Sequence, residues 1–397
     1  MFLGQFLSLA VSFFVGAYVA RYLGPANFGV MNYAISFATI LSFLAGFGFE
    51  NILKRELIEH PENKDDLIGT SFWLKFIISL ASLAAINIAS FFINHDFLSR
   101  ILIFVFSFSL IFSSFNVISI YFQTEVQAKK NVKIQIIGVL ISTISKLFFI
   151  YLGLGVIWIT AIYIIDSLVL AIGLVLSYHY SLKKFFNWNF NVSLAKSLFF
   201  DSLPLALTYI FIIIYLKADQ IILKNIADTH TVGLYAAAVK ISEILYFIPS
   251  LICASLFPAI MHAKKTDQLA YRSRLNNLYY LMAVLSILII LPLFVGSQFI
   301  ITTIFGVDYL PAINIFKIYL WSSLPMFLIT AISQFLIAEN RTKDYLIISF
   351  IGALTNITLN IILIPKYGAA GAAWTSVISY SFMPLSFIIL EKFKKNV

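Results

Sequence analysis

The chain has 397 residues, 61% of them hydrophobic and only 11% charged, against roughly 25% charged for a soluble domain of this size. Water is therefore excluded as its main solvent. The formal net charge of +9 does not mark a nucleic-acid partner, since no polar segment is long enough to form a binding domain, and the single cysteine, Cys253, excludes an intrachain disulfide.

The charges gather in short clusters such as LKKFFNWN and HAKKTDQLAYRSR. Between them run apolar stretches near the ~20 residues that cross a bilayer's hydrocarbon as a helix. The first, MFLGQFLSLAVSFFVGAYVA, lacks the charged start of a signal peptide and is followed at once by more apolar sequence. It reads as a spanning helix over 1–20. Further helices are predicted over 28–53, 71–93, 101–122, 134–152 and 156–180, then 197–224, 232–260, 276–296, 312–337, 345–364 and 369–390, which makes about twelve crossings in an all-α integral membrane fold. Lipid cannot satisfy exposed backbone groups, which requires helices here, and runs such as LASLAAINIASFFI lack the alternation of a closed barrel.

Basic residues crowd one set of connections: Lys54, Arg55 and Lys64; Lys129, Lys130 and Lys133; Lys183, Lys184 and Lys196; Lys264, Lys265, Arg272 and Arg274; Arg341 and Lys343; Lys392, Lys394 and Lys395. The opposite set and its helix ends hold Arg21, Arg100, Lys224 and Lys366. By the positive-inside rule the first set is cytoplasmic, and both termini lie inside.

The halves resemble one another. FGVMNYAISFATILSFL from Phe28 aligns without gaps with VGLYAAAVKISEILYFI from Val232, matching Gly29 to Gly233, Ala34 to Ala238, Ile40 to Ile244 and Phe43 to Phe247. VISIYFQTEVQAKK from Val117 aligns with TAISQFLIAENRTK, matching Glu125 to Glu339, Lys129 to Lys343 and, further on, Gly138 to Gly352. Two pseudo-symmetric six-helix lobes are expected, 1–196 and 197–397, related by an axis along the membrane normal. Parallel repeats of this kind typically place a substrate path between lobes.

The segments ARYLGPANFG (20–29), DQIILKNIADTHTVGLYAAAVKISE (219–243), FGVDYLPA (305–312) and IPKYGAAGAAWTSVIS (364–379) resemble the polysaccharide exporters. The family is the O-antigen repeat-unit flippase branch of the multidrug/oligosaccharidyl-lipid/polysaccharide superfamily. The resemblance implies translocation of an undecaprenyl-pyrophosphate-linked sugar repeat unit, for lipopolysaccharide O-antigen or capsule, across a bacterial cytoplasmic (inner) membrane. It implies a V-shaped pair of lobes and no resident cofactor. Membrane lipids, a polysaccharide polymerase and a chain-length regulator are the expected partners beside the lipid-linked oligosaccharide. Many relatives carry a short polar or basic lead, whereas Met1 begins inside the first helix, so the natural start is expected upstream.

A diphosphate crossing lipid needs shielded cationic groups, so intramembrane charges are the candidates. Arg21 closes the first helix in VARYLG; in relatives an arginine of this motif faces the cavity, while the alternative is a side chain snorkelling to the outer interface. Lys240 and Glu243, three residues apart, share a helix face and are expected to pair, with Lys240 roughly 12 Å below the outer helix end. They serve either as cavity groups or as a structural ion pair. Lys146 and Asp166, on consecutive helices, fall at similar depth and are expected to pair inside the first lobe, either as a structural pair or with Lys146 meeting substrate in the cavity. Lys317 lies near the outer end of its helix, where it either reaches water or, with its helix in the second lobe, leans into the cavity to meet substrate; Lys75 and Asp201 lie within about a turn of the cytoplasmic end, where they are expected to reach water. Lys217 and Asp219, two apart, point to different faces, so each needs its own partner. Resemblance to an aspartate of the family marks Asp219 as a coupling residue. With Asn356, Asn360 and Thr375 it offers oxygens for Na+, or a carboxylate for H+.

Pro204, Pro249, Pro258, Pro292, Pro325 and Pro384 fall inside the predicted spans of the second lobe and permit kinks suited to alternating access. An enzyme is disfavoured: His60, His95, His179, His230 and His262 lack metal-like spacing, and there is no GxSxG, HExxH or P-loop. A cation-coupled multidrug antiporter would more naturally line its path with carboxylates. A flippase for a lipid-linked peptidoglycan precursor needs a similar cationic path, though such relatives usually carry two further helices.

Overall fold

The structure, a computed structural model, describes residues 2–42, 49–93, 96–182, 188–339 and 341–395. Helices α1 (Phe2–Leu41), α2 (Phe49–Glu59), α3 (Lys64–Ile93), α4 (Phe97–Phe108), α5 (Asn116–Thr124), α6 (Ala128–Tyr151), α7 (Val156–Leu182) and α8 (Val192–Ile226) make the first half. The second half holds α9 (Thr229–Leu245), α10 (Phe247–Thr266), α11 (Gln268–Val295), α12 (Ser297–Ile304), α13 (Ala312–Leu320), α14 (Ser323–Ala338) and α15 (Thr342–Lys395). Asp96, Asp228 and Asp267 open α4, α9 and α11 by accepting hydrogen bonds from backbone N–H groups of the first turn.

Among the described residues, ten helical segments are long and apolar enough to cross a membrane. Two of them turn at a glycine with positive φ, Gly24 (69°) inside α1 and Gly368 (55°) inside α15. Divided there, the segments accord with twelve apolar stretches. Gly24 precedes Pro25, whose fixed φ suits the first turn of the helix that resumes.

Several expected helices are interrupted. In the run predicted over 28–53, α1 ends at Leu41 and α2 begins at Phe49, while 43–48, including Phe43 of the repeat alignment, lie outside the described residues. His95 also lies outside them. The run over 232–260 breaks at Tyr246, and the run over 312–337 breaks at Trp321 and Ser322. Each break precedes a proline, Pro249 or Pro325, in the third position of the helix that follows. Proline has no N–H to donate to the carbonyl four residues back. The backbone instead closes tighter turns, with Tyr246 N–H donating to Glu243 O at 3.1 Å and Ser322 N–H to Tyr319 O at 2.9 Å. The run over 101–122 contains a 3-10 turn over Ser109–Phe115 without proline; Ser109, Ser113 and Ser114 donate to carbonyls three residues back.

Two compact units form. One comprises Met1–Leu23 and Val30–Ile213, the other Gly24–Gly29 and Ile214–Val397. In the first, Leu53, Leu67, Ile118, Phe122 and Leu198 are fully enclosed, and the Phe72 ring stacks within 5 Å of both Phe115 and Trp188. The segment after Trp188 is held on α3, where a Cβ at Gly69 would lie 2.7 Å from Asn189 O. In the second unit Tyr235, Tyr309, Tyr319, Tyr380 and Phe316 are buried, and Cys253 packs among Met282, Phe327 and Ala331. The two units repeat one detail. Gly138 on α6 packs against Leu170 of α7, and its aligned counterpart Gly352 packs against Met383.

Candidate functional site

Within the second unit, α8 and α9 carry the charges. Lys217 donates to Glu243 at 2.9 Å, both side chains being roughly a quarter to a third exposed. This corrects the expected pairing of Lys240 with Glu243. A partner across the helix interface prevails over the one on the same helix, because Lys217 brings its ammonium to the carboxylate directly. Half-buried Lys240 lies over the Phe28 ring, 5.6 Å from its centroid. Lys317 sits similarly over Phe294 at 5.5 Å.

Asp219 is fully buried two residues beyond Lys217 and has its own partners, as the two-residue spacing requires. Tyr235 Oη–H donates to one carboxylate oxygen and the Gln220 N–H to the other, at 2.8 Å. The Tyr235 hydroxyl also lies 3.3 Å from Ser376 Oγ. From there Ser379, bonded to the Ser376 carbonyl, meets Asn356 Nδ2 at 3.3 Å, and Asn356 Oδ1 accepts from Asn360 Nδ2 at 2.9 Å. Asn356, Asn360 and Thr375 are fully buried. Asn360 Oδ1, at the end of this chain of bonds, and Thr375 Oγ1, next to Ser376 in the sequence, are enclosed and find no hydrogen-bond partner. A carboxylate with unspent neutral oxygens fits a hard cation. Sequence reasoning missed Tyr235, Ser376 and Ser379; the run TSVIS, with hydroxyls one turn apart, was the available signal.

In the first unit Lys146 Nζ lies 3.7 Å from Asp166 Oδ2, as counting helix rises predicts, and donates to Ser142 Oγ at 2.7 Å. Arg21 is exposed at the end of the first apolar stretch, beside Tyr22, whose hydroxyl donates to Leu154 O at 3.0 Å. Asp201 is exposed, but Lys75 is only 5% exposed, against the expectation that it reaches water. Ser71, Ser79 and Ser82, also buried, share its face of α3. Among the described residues no group of three or more His, Cys, Asp or Glu side chains is placed to hold a metal.

The residues around the end of α14 carry a separate network. Glu339 meets Lys264 at 2.9 Å and accepts from Tyr271, while Arg341 pairs with Asp344 and Glu391. Burial raises the Glu339 carboxyl, but the bonds from Tyr271 and Lys264 outweigh it and hold the group below its usual range.

The family model described as polysaccharide biosynthesis protein matches residues 1–264, well over half of the chain. The chain belongs to this family. It is a flippase-type family of the multidrug/oligosaccharidyl-lipid/polysaccharide superfamily. A second model of that superfamily, MatE, matches residues 204–362 of this family member. An uncharacterized membrane protein of Methanocaldococcus jannaschii is 25% identical over 96% of this chain and 80% of its own length. A protein named as the probable flippase AglR of Haloferax volcanii is 30% identical over 42% of this chain and 35% of its own. Among solved structures, the lipid II flippase MurJ in an inward closed conformation shares the fold with a TM-score of 0.78 at 19% identity, over 98% of this chain and 87% of that one. An inward-facing multidrug resistance transporter of the MATE family gives 0.75 at 15% identity, over 98% and 96%.

Proposed function

We propose that this family member flips a polysaccharide repeat unit, of O-antigen or capsule type, linked to undecaprenyl pyrophosphate, from the cytoplasmic to the outer leaflet of the cytoplasmic membrane by alternating access. Its membership of the polysaccharide biosynthesis family carries the reading. The chemistry of the spans supports it: Lys146, Lys217, Lys240 and Lys317 lie inside apolar helices, where an unneeded cation is costly. Lys240 over the Phe28 ring and Lys317 over the Phe294 ring bring positive charge that suits phosphate oxygens or an acidic sugar. Arg21, at the end of its helix, suits the same anions through its planar fork. Glu243 is the counter-charge that holds Lys217.

The Asp219, Asn356, Asn360 and Thr375 network supports coupling to a cation, sodium in preference to a proton. Its two unspent acceptor oxygens call for a metal ion, which a proton on Asp219 would leave unsatisfied. Binding there neutralises a buried carboxylate and ties α8 to both halves of α15.

The test is surface display in cells lacking their own repeat-unit flippase. Expression of this chain restores display, and Lys240→Ala reduces it at equal protein level; undiminished display by that variant removes Lys240 from the path. A multidrug antiporter instead confers resistance to cationic drugs and leaves display unchanged. A peptidoglycan-precursor flippase rescues growth of cells depleted of that activity.

A further inference from the structure

Lys75 is an intramembrane cation that the reading above leaves without a task. It is 5% exposed on α3 and has no hydrogen bond or ion pair to a described residue. Glu50, exposed at the start of α2, acts on it only at a distance. The other intramembrane lysines are balanced: Lys146 by Asp166, Lys217 by Glu243, Lys240 and Lys317 by the Phe28 and Phe294 rings. A buried ammonium without such a partner is strongly disfavoured, and an anion brought to it would restore the balance.

The surface around Lys75 says what. Ser71, Lys75, Ser79 and Ser82 are all buried on one face of α3, within an arc of roughly 80° and over roughly 16 Å of helix. Serine hydroxyls in apolar helices commonly donate to a carbonyl one turn back. Ser107, Ser109, Ser114 and Ser202 do so here. Ser71, Ser79 and Ser82 do not: their oxygens are enclosed and have no partner. The 109–115 turn packed on α3 offers no acid, and its own hydroxyls are spent on its backbone. The face therefore presents an ammonium and three hydroxyls whose donors are unspent, with no carboxylate among them. Such a face is complementary to a group that is all acceptor, a phosphate-class oxyanion.

We infer that Ser71, Lys75, Ser79 and Ser82 form an oxyanion site inside the first unit that receives phosphate oxygens of the lipid-linked cargo. The phosphate assignment rests on the flippase reading; the oxyanion preference rests on the residues alone. Lys75 is the charge, and the serines on adjoining turns offer successive donors along the helix.

The experiment titrates purified full-length protein in detergent with geranylgeranyl diphosphate. Geranylgeraniol serves as the neutral control, and glucuronate reports whether a carboxylate sugar suffices. Lys75→Met weakens diphosphate binding by about tenfold or more, Ser79→Ala with Ser82→Ala weakens it by about threefold, and Lys75→Arg restores most of it. Binding of the alcohol is unchanged. Lys75→Met also raises the melting temperature, because an unpaired ammonium is no longer buried. Diphosphate binding by Lys75→Met equal to wild type overturns the site, as does a wild type that binds the alcohol and the diphosphate alike. Glucuronate binding that depends on Lys75 while diphosphate binding does not overturns the phosphate assignment. A wild type that binds diphosphate through Lys75 yet translocates no lipid-linked sugar in vesicles overturns the flippase reading and leaves the oxyanion site standing.

Discussion

Lys217 Nζ lies 2.9 Å from Glu243 Oε1, so an ion pair joins α8 to α9 inside an apolar unit. Truncating one member leaves the other charge half-buried and unmatched. Lys217→Met or Glu243→Leu is expected to lower stability by about 1–3 kcal/mol, less than for a fully buried pair because both groups retain some exposure. The double variant recovers most of the loss. Thermal unfolding of the four proteins in one detergent checks this; additive losses in the double variant would show that the pair is not coupled.

Gly29 and Gly233 form a backbone contact in the second unit. A Cβ at Gly29 would fall 1.7 Å from Thr229 O, and one at Gly233 would fall 1.9 Å from Pro25 O. No side-chain rotation relieves either clash, so each alanine variant is expected to cost about 3 kcal/mol or to abolish folded yield. Gly155→Ala, where nothing lies within 4 Å, is the control and melts like wild type. Fluorescence-detected size exclusion after heating separates the two cases.

The same glycines show how far the sequence was legible. They align with each other in the internal repeat, and the repeat itself rests on a few matched residues such as Glu125 with Glu339. Apolar runs located the spans because lipid imposes a length, and the depth of Lys146 and Asp166 followed from the rise of a helix. The Lys240–Glu243 pairing failed because spacing on one helix says nothing of a lysine arriving from another. Lys75 was misplaced for a related reason: distance from a helix end does not reveal which face packs inward. The breaks at Tyr246 and Ser322 were visible only as Pro249 and Pro325, which mark a kink without fixing its residue.

The network proposed to couple transport to a cation makes its own prediction. Asp219→Asn removes the one carboxylate among its oxygens, so stabilisation by sodium disappears while the melting temperature in choline stays near wild type or rises. Tyr235→Phe releases the carboxylate from its hydroxyl donor and weakens, without abolishing, the sodium response. Melting curves at graded sodium concentration decide it. Equal sodium shifts in wild type and Asp219→Asn would remove this carboxylate from the site.

Glu339 predicts a pH effect. Its carboxyl is held below the ordinary value of 4.5, with burial opposing and the bonds from Tyr271 and Lys264 prevailing. The unfolded chain therefore binds the proton more readily than the folded one. The stabilisation is full above pH 4.5 and is lost as the pH falls through the lower folded value. The melting-temperature gap between wild type and Glu339→Gln is expected to be constant near neutrality and to close under acid conditions. A gap that widens on acidification would reverse the assigned sign.

Translocation in reconstituted vesicles tests whether the protein flips lipid-linked sugar. Purified protein is reconstituted with a fluorescent oligosaccharide on a polyprenyl diphosphate, and the fraction of label open to a membrane-impermeant quencher is followed. The account predicts exchange between leaflets well above that of protein-free vesicles, reduced in Lys240→Ala. Exchange no faster than in protein-free vesicles, from protein that is folded and inserted, would contradict it.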